Sequence, residues 1–158
     1  MAFKKFTASV RTLAPDPVYH SKLVSKFTNA LMWDGKKAVS ERNVYKAMEI
    51  IAQKIKDVPP LQVLEKAIDN LKPMIEVRSK RVGGANYQVP MQVNTRRALS
   101  LSMRWLRDAC RSAKGTRFAT RLANELMAAY KGEGAAMTTR ENIHRMAEAN
   151  KAFAHFAW

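Results

Sequence analysis

Residues 73–97 read PMIEVRSKRVGGANYQVPMQVNTRR, and this stretch decides the fold. Ile75 and Val77 alternate with polar neighbours, and so do Tyr87, Val89, Met91 and Val93. Alternation with a period of two marks half-buried strands, so the spacing predicts two strands that share one apolar face. Between them lies Val82-Gly83-Gly84-Ala85. Two glycines supply the positive φ that a tight hairpin turn needs. Arg78, Lys80 and Arg81 stand just before the turn, and Arg96 and Arg97 just after the second strand. Without the strands this would be a surface charge run. With them it is a projecting arm, apolar at its base and cationic toward its tip, suited to a polyanion rather than a small substrate.

Outward from the arm the pattern turns helical. On its N-terminal side Ser21 can cap a helix to about Met32, with Val24, Phe27 and Leu31 on one face. Asp34-Gly35 stops it, and Lys36 and Lys37 follow at the turn. A second helix, about 37–56, carries Val44, Met48, Ile51 and Ile55 as its stripe. Pro59-Pro60 ends it and pre-sets the first turn of a third, about 60–72, which buries Leu64, Ile68 and Leu71. Beyond the arm, Asn94 or Thr95 caps a fourth helix to about Ala113, with Leu99, Met103, Leu106 and Cys110 inward. Helical spacing puts Arg97, Arg104, Arg107 and Arg111 on its other side. Thr116 caps a fifth helix, to about Tyr130, with Ala119, Leu122, Ala123, Leu126 and Tyr130 inward. Gly132-Glu133-Gly134 reads as a flexible break. Thr138 and Glu141 match the capping-box spacing and open a last helix that buries Ile143 and Met146 or Ala147. It runs into Phe153, His155, Phe156 and Trp158. The fold expected is mainly α: a six-helix bundle with one protruding two-stranded β-ribbon arm between helices three and four. Residues 1–19 read as an extended basic tail, 20–153 as a single helical domain with the arm at about 74–93, and 154–158 as a C-terminal tail.

Charge narrows the function. The chain has 28 Lys+Arg against 13 Asp+Glu in 158 residues, a net +15. Self-repulsion on that scale calls for a neutralising partner, nucleic acid first and an anionic membrane surface next. Residues 76–121 hold 11 basic and 2 acidic residues, more than half of the excess, whereas residues 122–158 hold 4 of each. Nine of those 11 are arginine, whose planar fork pairs bidentately with phosphate and stacks on bases. A membrane-surface helix needs large apolar residues beside its cations. Here the apolar faces are claimed by the core, so no membrane partner is expected. Arg117 and Arg121 fall in the first turn of the fifth helix, where acids are normally preferred. Two readings stay open for them: a bound phosphate, or two exposed arginines costing roughly a few tenths of a kcal/mol.

Chemistry is absent by the same reading. His20, His144 and His155 have no Cys or carboxylate at metal-ligand spacing, so neither a metal nor a cofactor is expected. Cys110, the single cysteine, lies on an apolar helical face and reads as a buried, inert thiol. No nucleophile-elbow, zinc-protease or phosphate-loop motif occurs, and only Glu76 and Asp108 are acidic in the basic block, so an enzyme is not expected. Structured RNA, read by shape and backbone, suits a basic arm with basic helices. A DNA architectural protein with a β-arm is the alternative.

The strings DPVYHSKLVSKFTNALMWDGKK (16–37), KPMIEVRSKRVGGANYQVPMQV (72–93), RLANELMAAYKGEGAA (121–136) and ENIHRMAEANKAFAHF (141–156) resemble the small-subunit ribosomal protein seven family, of the bacterial or organellar type. The resemblance runs from Asp16 to Trp158 and implies a structural constituent of the small subunit. Such a protein binds the 3′ major domain of the ribosomal RNA and nucleates assembly of the subunit head. It implies an RNA face of Lys22, Lys26, Lys36, Lys37, Arg78, Lys80, Arg81, Arg96, Arg97, Arg104, Arg107, Arg111 and Lys114. It also implies that Val82, Gly83, Gly84 and Ala85, with Arg145 and Asn150, lie near exit-site tRNA and mRNA. Small-subunit proteins nine and eleven are the implied neighbours, no homo-oligomer is expected, and the implied location is the cytoplasmic ribosome rather than an organellar one. Many members begin with an arginine-rich tail, whereas this chain has Lys4, Lys5 and Arg11 among Phe, Thr and Ser, so fewer tail contacts to RNA are expected. Many place Arg before the terminal Trp; Ala157 stands there in this chain, so a polar tail contact of that kind is not expected.

Overall fold

A computed structural model describes residues 13–156. The readings placed on Lys4, Lys5, Arg11, Ala157 and Trp158 lie outside them. Six α-helices and one β-hairpin follow in order: α1 (Lys22–Leu31), α2 (Lys37–Lys54), α3 (Pro60–Leu71), β1 (Ile75–Val82), β2 (Ala85–Gln92), α4 (Thr95–Ser112), α5 (Phe118–Lys131) and α6 (Ala135–Ala149). A 3₁₀ segment, Lys151–Phe156, closes the described chain. The arm between α3 and α4 is the expected one.

The core forms because each helix presents an apolar stripe at helical spacing. α5 packs on α2, α3, α4 and α6, and α1 packs on α2 and α4. Phe27, Met48, Ile51, Leu64, Ile68, Leu71, Met103, Leu106, Leu122 and Leu126 are its large, fully buried side chains. Ile55, Leu99 and Tyr130, expected inward, are half-buried at the margin of this cluster. Of the two alternatives on α6, Ala147 is buried and Met146 is exposed.

Local caps explain several boundaries. Ser21 Oγ accepts from the Leu23 N–H at 3.2 Å, and Asn94 Oδ1 accepts from the Arg97 N–H at 2.8 Å. Pro60 occupies the first turn of α3, where its missing N–H is no loss. Upstream of α1, Asp16 is buried and its carboxylate accepts from the Val18 and Tyr19 N–H groups and from the Tyr45 hydroxyl (3.1, 3.0 and 2.8 Å). That latch docks residues 16–21 on α2.

Three local expectations are corrected. Thr116 does not cap α5: Arg117 holds the N-cap position, with no side-chain cap bond. Thr138 does not open α6, which begins at Ala135 behind Gly134. The cap comes from another helix, since Glu125 Oε1 of α5 accepts from the Ala136 N–H at 2.7 Å. Gly132-Glu133-Gly134 is a tight corner rather than a flexible break. Gly132 is left-handed (φ 87°), and the Gly132 and Glu133 N–H groups donate to the Ala129 and Ala128 carbonyls (3.1 and 2.8 Å). A Cβ at Gly134 would stand 2.8 Å from Glu125 Oε1, so the cap itself requires glycine there.

The arm also departs from expectation. Gly83 and Gly84 both have positive φ (57° and 90°), as a two-residue hairpin turn requires. That turn pairs Val82 with Ala85 and so sets the register Glu76↔Met91, Arg78↔Val89, Lys80↔Tyr87. Opposed residues share a face. Ile75 and Val77 therefore lie on the opposite face from Tyr87, Val89 and Met91, and the ribbon has no single apolar face. Ile75 is 38% exposed, whereas Glu76 and Val89 are buried at 8% and 0%. Turn length carries the reason: a two-residue turn places residues of equal parity on opposite faces, and a one-residue change would reverse it.

Candidate nucleic-acid interface

α4 carries the largest cationic feature. Leu101, Met103, Leu106 and Cys110 bury one side of it, which leaves the other to Arg97, Arg104 and Arg111 at seven-residue steps. At a rise of 1.5 Å per residue, Arg97 and Arg111 stand roughly 21 Å apart along the helix. Both ends are anchored. Arg97 Nε donates to Glu76 Oε2 at 3.0 Å, while Arg78 binds the other oxygen, Oε1, at 2.6 Å. The carboxylate thus ties the base of the arm to the start of α4. At the far end Arg111 donates to the Leu31 carbonyl at 3.1 Å and lies 4.5 Å over the Trp33 ring. Between them Arg107 pairs with Asp108 at 2.8 Å, and Arg104 is exposed. Arg96, in the first turn, is exposed as well.

The α1–α2 corner continues the strip. Asp34 and Gly35 both take positive φ (48° and 73°), and the Lys36 N–H donates to the Trp33 carbonyl at 2.9 Å. The turn fixes Trp33 beside exposed Lys36 and Lys37, the latter 3.4 Å from Glu41. Lys22 is exposed at the start of α1, Lys26 is half-buried, and Lys114 is exposed just past α4.

Strand alternation separates the three arm cations. Arg78 and Lys80 share the face that holds Glu76, Tyr87 and Val89, and exposed Arg81 lies on the other. Lys80 Nζ donates to the Phe156 carbonyl at 2.9 Å. Tyr87 meets Phe153 and Phe156 with ring centroids 5.0 and 5.5 Å apart. The aromatic C-terminal segment therefore folds back on the arm. At the tip Gly83, Gly84 and Ala85 are exposed and Val82 is half-buried. Arg145 is exposed on α6; Asn150 ends that helix, its amide donating to the Met146 carbonyl at 2.8 Å.

The structure thus joins the arm base, the α4 strip and the α1–α2 corner into one cationic surface, while Lys80 is drawn to the C-terminal segment. Two members escaped the sequence reading. Glu76 is one of two acids in the cationic block, and that position was its only signal; Arg97, which it meets, stands on α4 beyond the ribbon. Trp33, exposed at 62%, has as its signal its place beside Asp-Gly-Lys-Lys, where a Trp is poorly placed for burial. Arg121 is settled differently from Arg117. Its guanidinium donates to the Ala113 carbonyl at the end of α4 and lies 5.8 Å from the Phe118 ring centroid, while Arg117 is exposed. A cation at a helix C-terminus is favourable, so Arg121 is explained within the chain.

Burial pushes the Cys110 thiol up to about 12, with the charge of Glu125 adding to the effect. Burial, then the charge of Arg140, lowers the His144 pKa. Among the described residues no group of three or more His, Cys, Asp or Glu could hold a metal ion, and no helix is long and apolar enough to cross a membrane.

Residues 3–151 match a family model described as ribosomal protein S7p/S5e. Three similar proteins carry the name small ribosomal subunit protein uS7. That of Rhodopirellula baltica is 56% identical over 98% of this chain and 99% of its own length. That of Paracidovorax citrulli is 54% identical over 92% and 93%. That of Thermosipho melanesiensis is 51% identical over 96% and 97%.

Proposed function

This chain belongs to the ribosomal protein S7p/S5e family and is a structural protein of the small ribosomal subunit; from that premise we infer that it binds the 3′ major domain of the small-subunit ribosomal RNA and nucleates assembly of the subunit head. The observation that carries this reading is the arginine strip of α4, tied to the arm through Glu76 and to the α1–α2 corner through Arg111. Each guanidinium has five donors in a fixed fork. Arg97 and Arg111 give part of that set to the protein, which holds their planes, and keep the rest for phosphate oxygens. A rigid strip of roughly 21 Å with an arm at one end contacts several RNA segments at once. Binding then sets the angles between those segments, and this is how the protein drives RNA folding. The wider RNA face comprises Lys22, Lys26, Lys36, Lys37, Arg81, Arg96, Arg104, Arg107 and Lys114. In the assembled subunit, on the cytoplasmic ribosome, the exposed tip at Gly83–Ala85, with Arg145 and Asn150, lies beside exit-site tRNA and mRNA, and small-subunit proteins nine and eleven are neighbours.

Filter binding of the purified chain to a transcript of the 3′ major domain, over a salt series, tests this. Contact with ~6–10 phosphates lowers affinity about 10³- to 10⁵-fold between roughly 50 and 200 mM salt. A shallow slope, or equal competition by duplex DNA, contradicts the reading. Replacing Arg78, Lys80 and Arg81 together by Ala weakens binding or head assembly; unchanged affinity with normally sedimenting subunits sinks the arm's part in it.

A further inference from the structure

We propose that Trp33 and the groove beside it form a stacking site for one unpaired nucleobase of the bound RNA. The proposal rests on the RNA-binding reading above and adds to it a contact with a base rather than a phosphate. Trp33 is 62% exposed, although a buried core lies one helix turn away. Its backbone is not loose: the Lys36 N–H closes the turn onto the Trp33 carbonyl, and Asp34 and Gly35 hold the positive φ values that the turn needs. The indole opens into a groove of about 490 Å³, bordered by Lys36, Val39, Asn43, Arg111 and Phe118. Small-ligand clefts run from about 300 to 1,000 Å³, so there is room for a base.

The lining matches a nucleotide part by part. Arg111 lies 4.5 Å over the indole, and its own position is fixed by the Leu31 carbonyl. An indole under a guanidinium offers a flat, polarisable platform, and unstacked RNA bases dock on such aromatic and arginine planes. Val39, 52% exposed, and half-buried Phe118 give apolar walls that water does not reward. The Asn43 amide nitrogen donates one hydrogen to the Val39 carbonyl at 2.9 Å, and its oxygen and second N–H are left to a base edge. Lys36 and Lys37 stand where the flanking phosphates would run, with Asp34 the acid of the turn. An apolar slot bordered by Lys36 and Arg111 favours a nucleotide over an apolar protein segment, which would bury those cations without an anion.

The test uses the full chain and the 3′ major domain transcript. Trp33→Ala lowers affinity by about 5- to 150-fold, the range expected for loss of one base–aromatic stack. Its salt slope stays that of the parent, because stacking releases no counterions. Trp33→Phe restores most of the affinity. The quench of intrinsic fluorescence on adding RNA is larger in the parent than in Trp33→Phe. Thermal melts of both variants stay within about 4 °C of the parent, because the side chain lies outside the core and Trp33→Ala loses only the contact with Arg111. Affinity unchanged in Trp33→Ala overturns the proposal alone, and so does a loss accompanied by a shallower salt slope. Unchanged RNA affinity with lost retention of a neighbouring protein in reconstituted particles reassigns the groove to a protein contact and overturns it too. Absence of RNA binding by the parent overturns this proposal together with the reading on which it rests.

Discussion

Replacing Glu76 by Gln removes the negative charge that Arg78 and Arg97 share at the base of the arm. The Glu76 side chain is 10% exposed, and those of its two partners are 45% and 40% exposed. A hydrogen bond to a charged group in a buried setting contributes about 1.5–3 kcal/mol, while a fully exposed ion pair contributes about 0.2–1 kcal/mol. Half-exposed arginines on a buried carboxylate fall between, at about 1–1.5 kcal/mol each. The glutamine oxygen recovers part of one bond. The two guanidiniums then face each other without a charge between them, which offsets that recovery. The expected loss is about 2–3 kcal/mol, or about 4–12 °C in Tm for a domain of this size. Thermal unfolding of the free protein followed by circular dichroism measures it. Hydrogen exchange at β1 and β2 should accelerate as well, because the carboxylate links the arm to the body. A double-mutant cycle with Arg97→Gln isolates the pair and should give a coupling of about 1 kcal/mol. A Tm within about a degree of the parent, or strictly additive single changes, would show that Glu76 merely tolerates its neighbours.

Three further outcomes follow from the geometry. Gly134→Ala puts a Cβ 2.8 Å from Glu125 Oε1 at φ 104°, so stability in urea should fall by about 1–3 kcal/mol; an unmoved midpoint contradicts the tight corner. Asp16→Ala removes the acceptor for two backbone N–H groups and for Tyr45 and should destabilise by about 2–3 kcal/mol. The Tyr45 phenol, pushed up to about 12 by burial first and Asp16 second, should then titrate lower in an ultraviolet pH scan, and an unshifted phenol rules out the latch. His144 titrates below its ordinary value when folded, so the unfolded chain takes up its proton first and stability falls as pH drops through about 6.5. His144→Gln should flatten urea midpoints between about pH 7.5 and 5; equal pH slopes in the two proteins would exclude it.

Much of the site was visible in the sequence because its signals are local. The arginines at 97, 104 and 111 recur every two helical turns, and that spacing alone puts them on one side of α4. The cations of the arm and of the α1–α2 corner sit beside recognisable turns. What escaped is relational. Nothing near residue 76 says that its carboxylate meets Arg97, 21 positions on. Nothing near residue 33 says that Arg111, far along the chain, will lie over its ring. The error about the arm was of another kind, since a two-residue turn and a single apolar face cannot both hold for these strands. The parity of the pairing already excluded the second.

By itself the sequence determined six helices, their inward faces, the hairpin and its turn. Each depends on residues within a few positions of one another: Ser21 and Asn94 as caps, Pro60 in a first turn, glycines where φ must be positive. Tertiary structure decided the helix ends that no local residue finishes. Glu125 of α5 caps α6 in place of Thr138, Arg121 closes α4, and Asp16 latches the entry of α1 to α2. It also decided that the arginine strip is continuous from the arm to Trp33, through Glu76 at one end and Arg111 at the other. The physical reason is range. Backbone caps and periodic stripes act over one or two turns, whereas a carboxylate or guanidinium at the end of a long side chain takes whichever partner packing brings within about 3 Å.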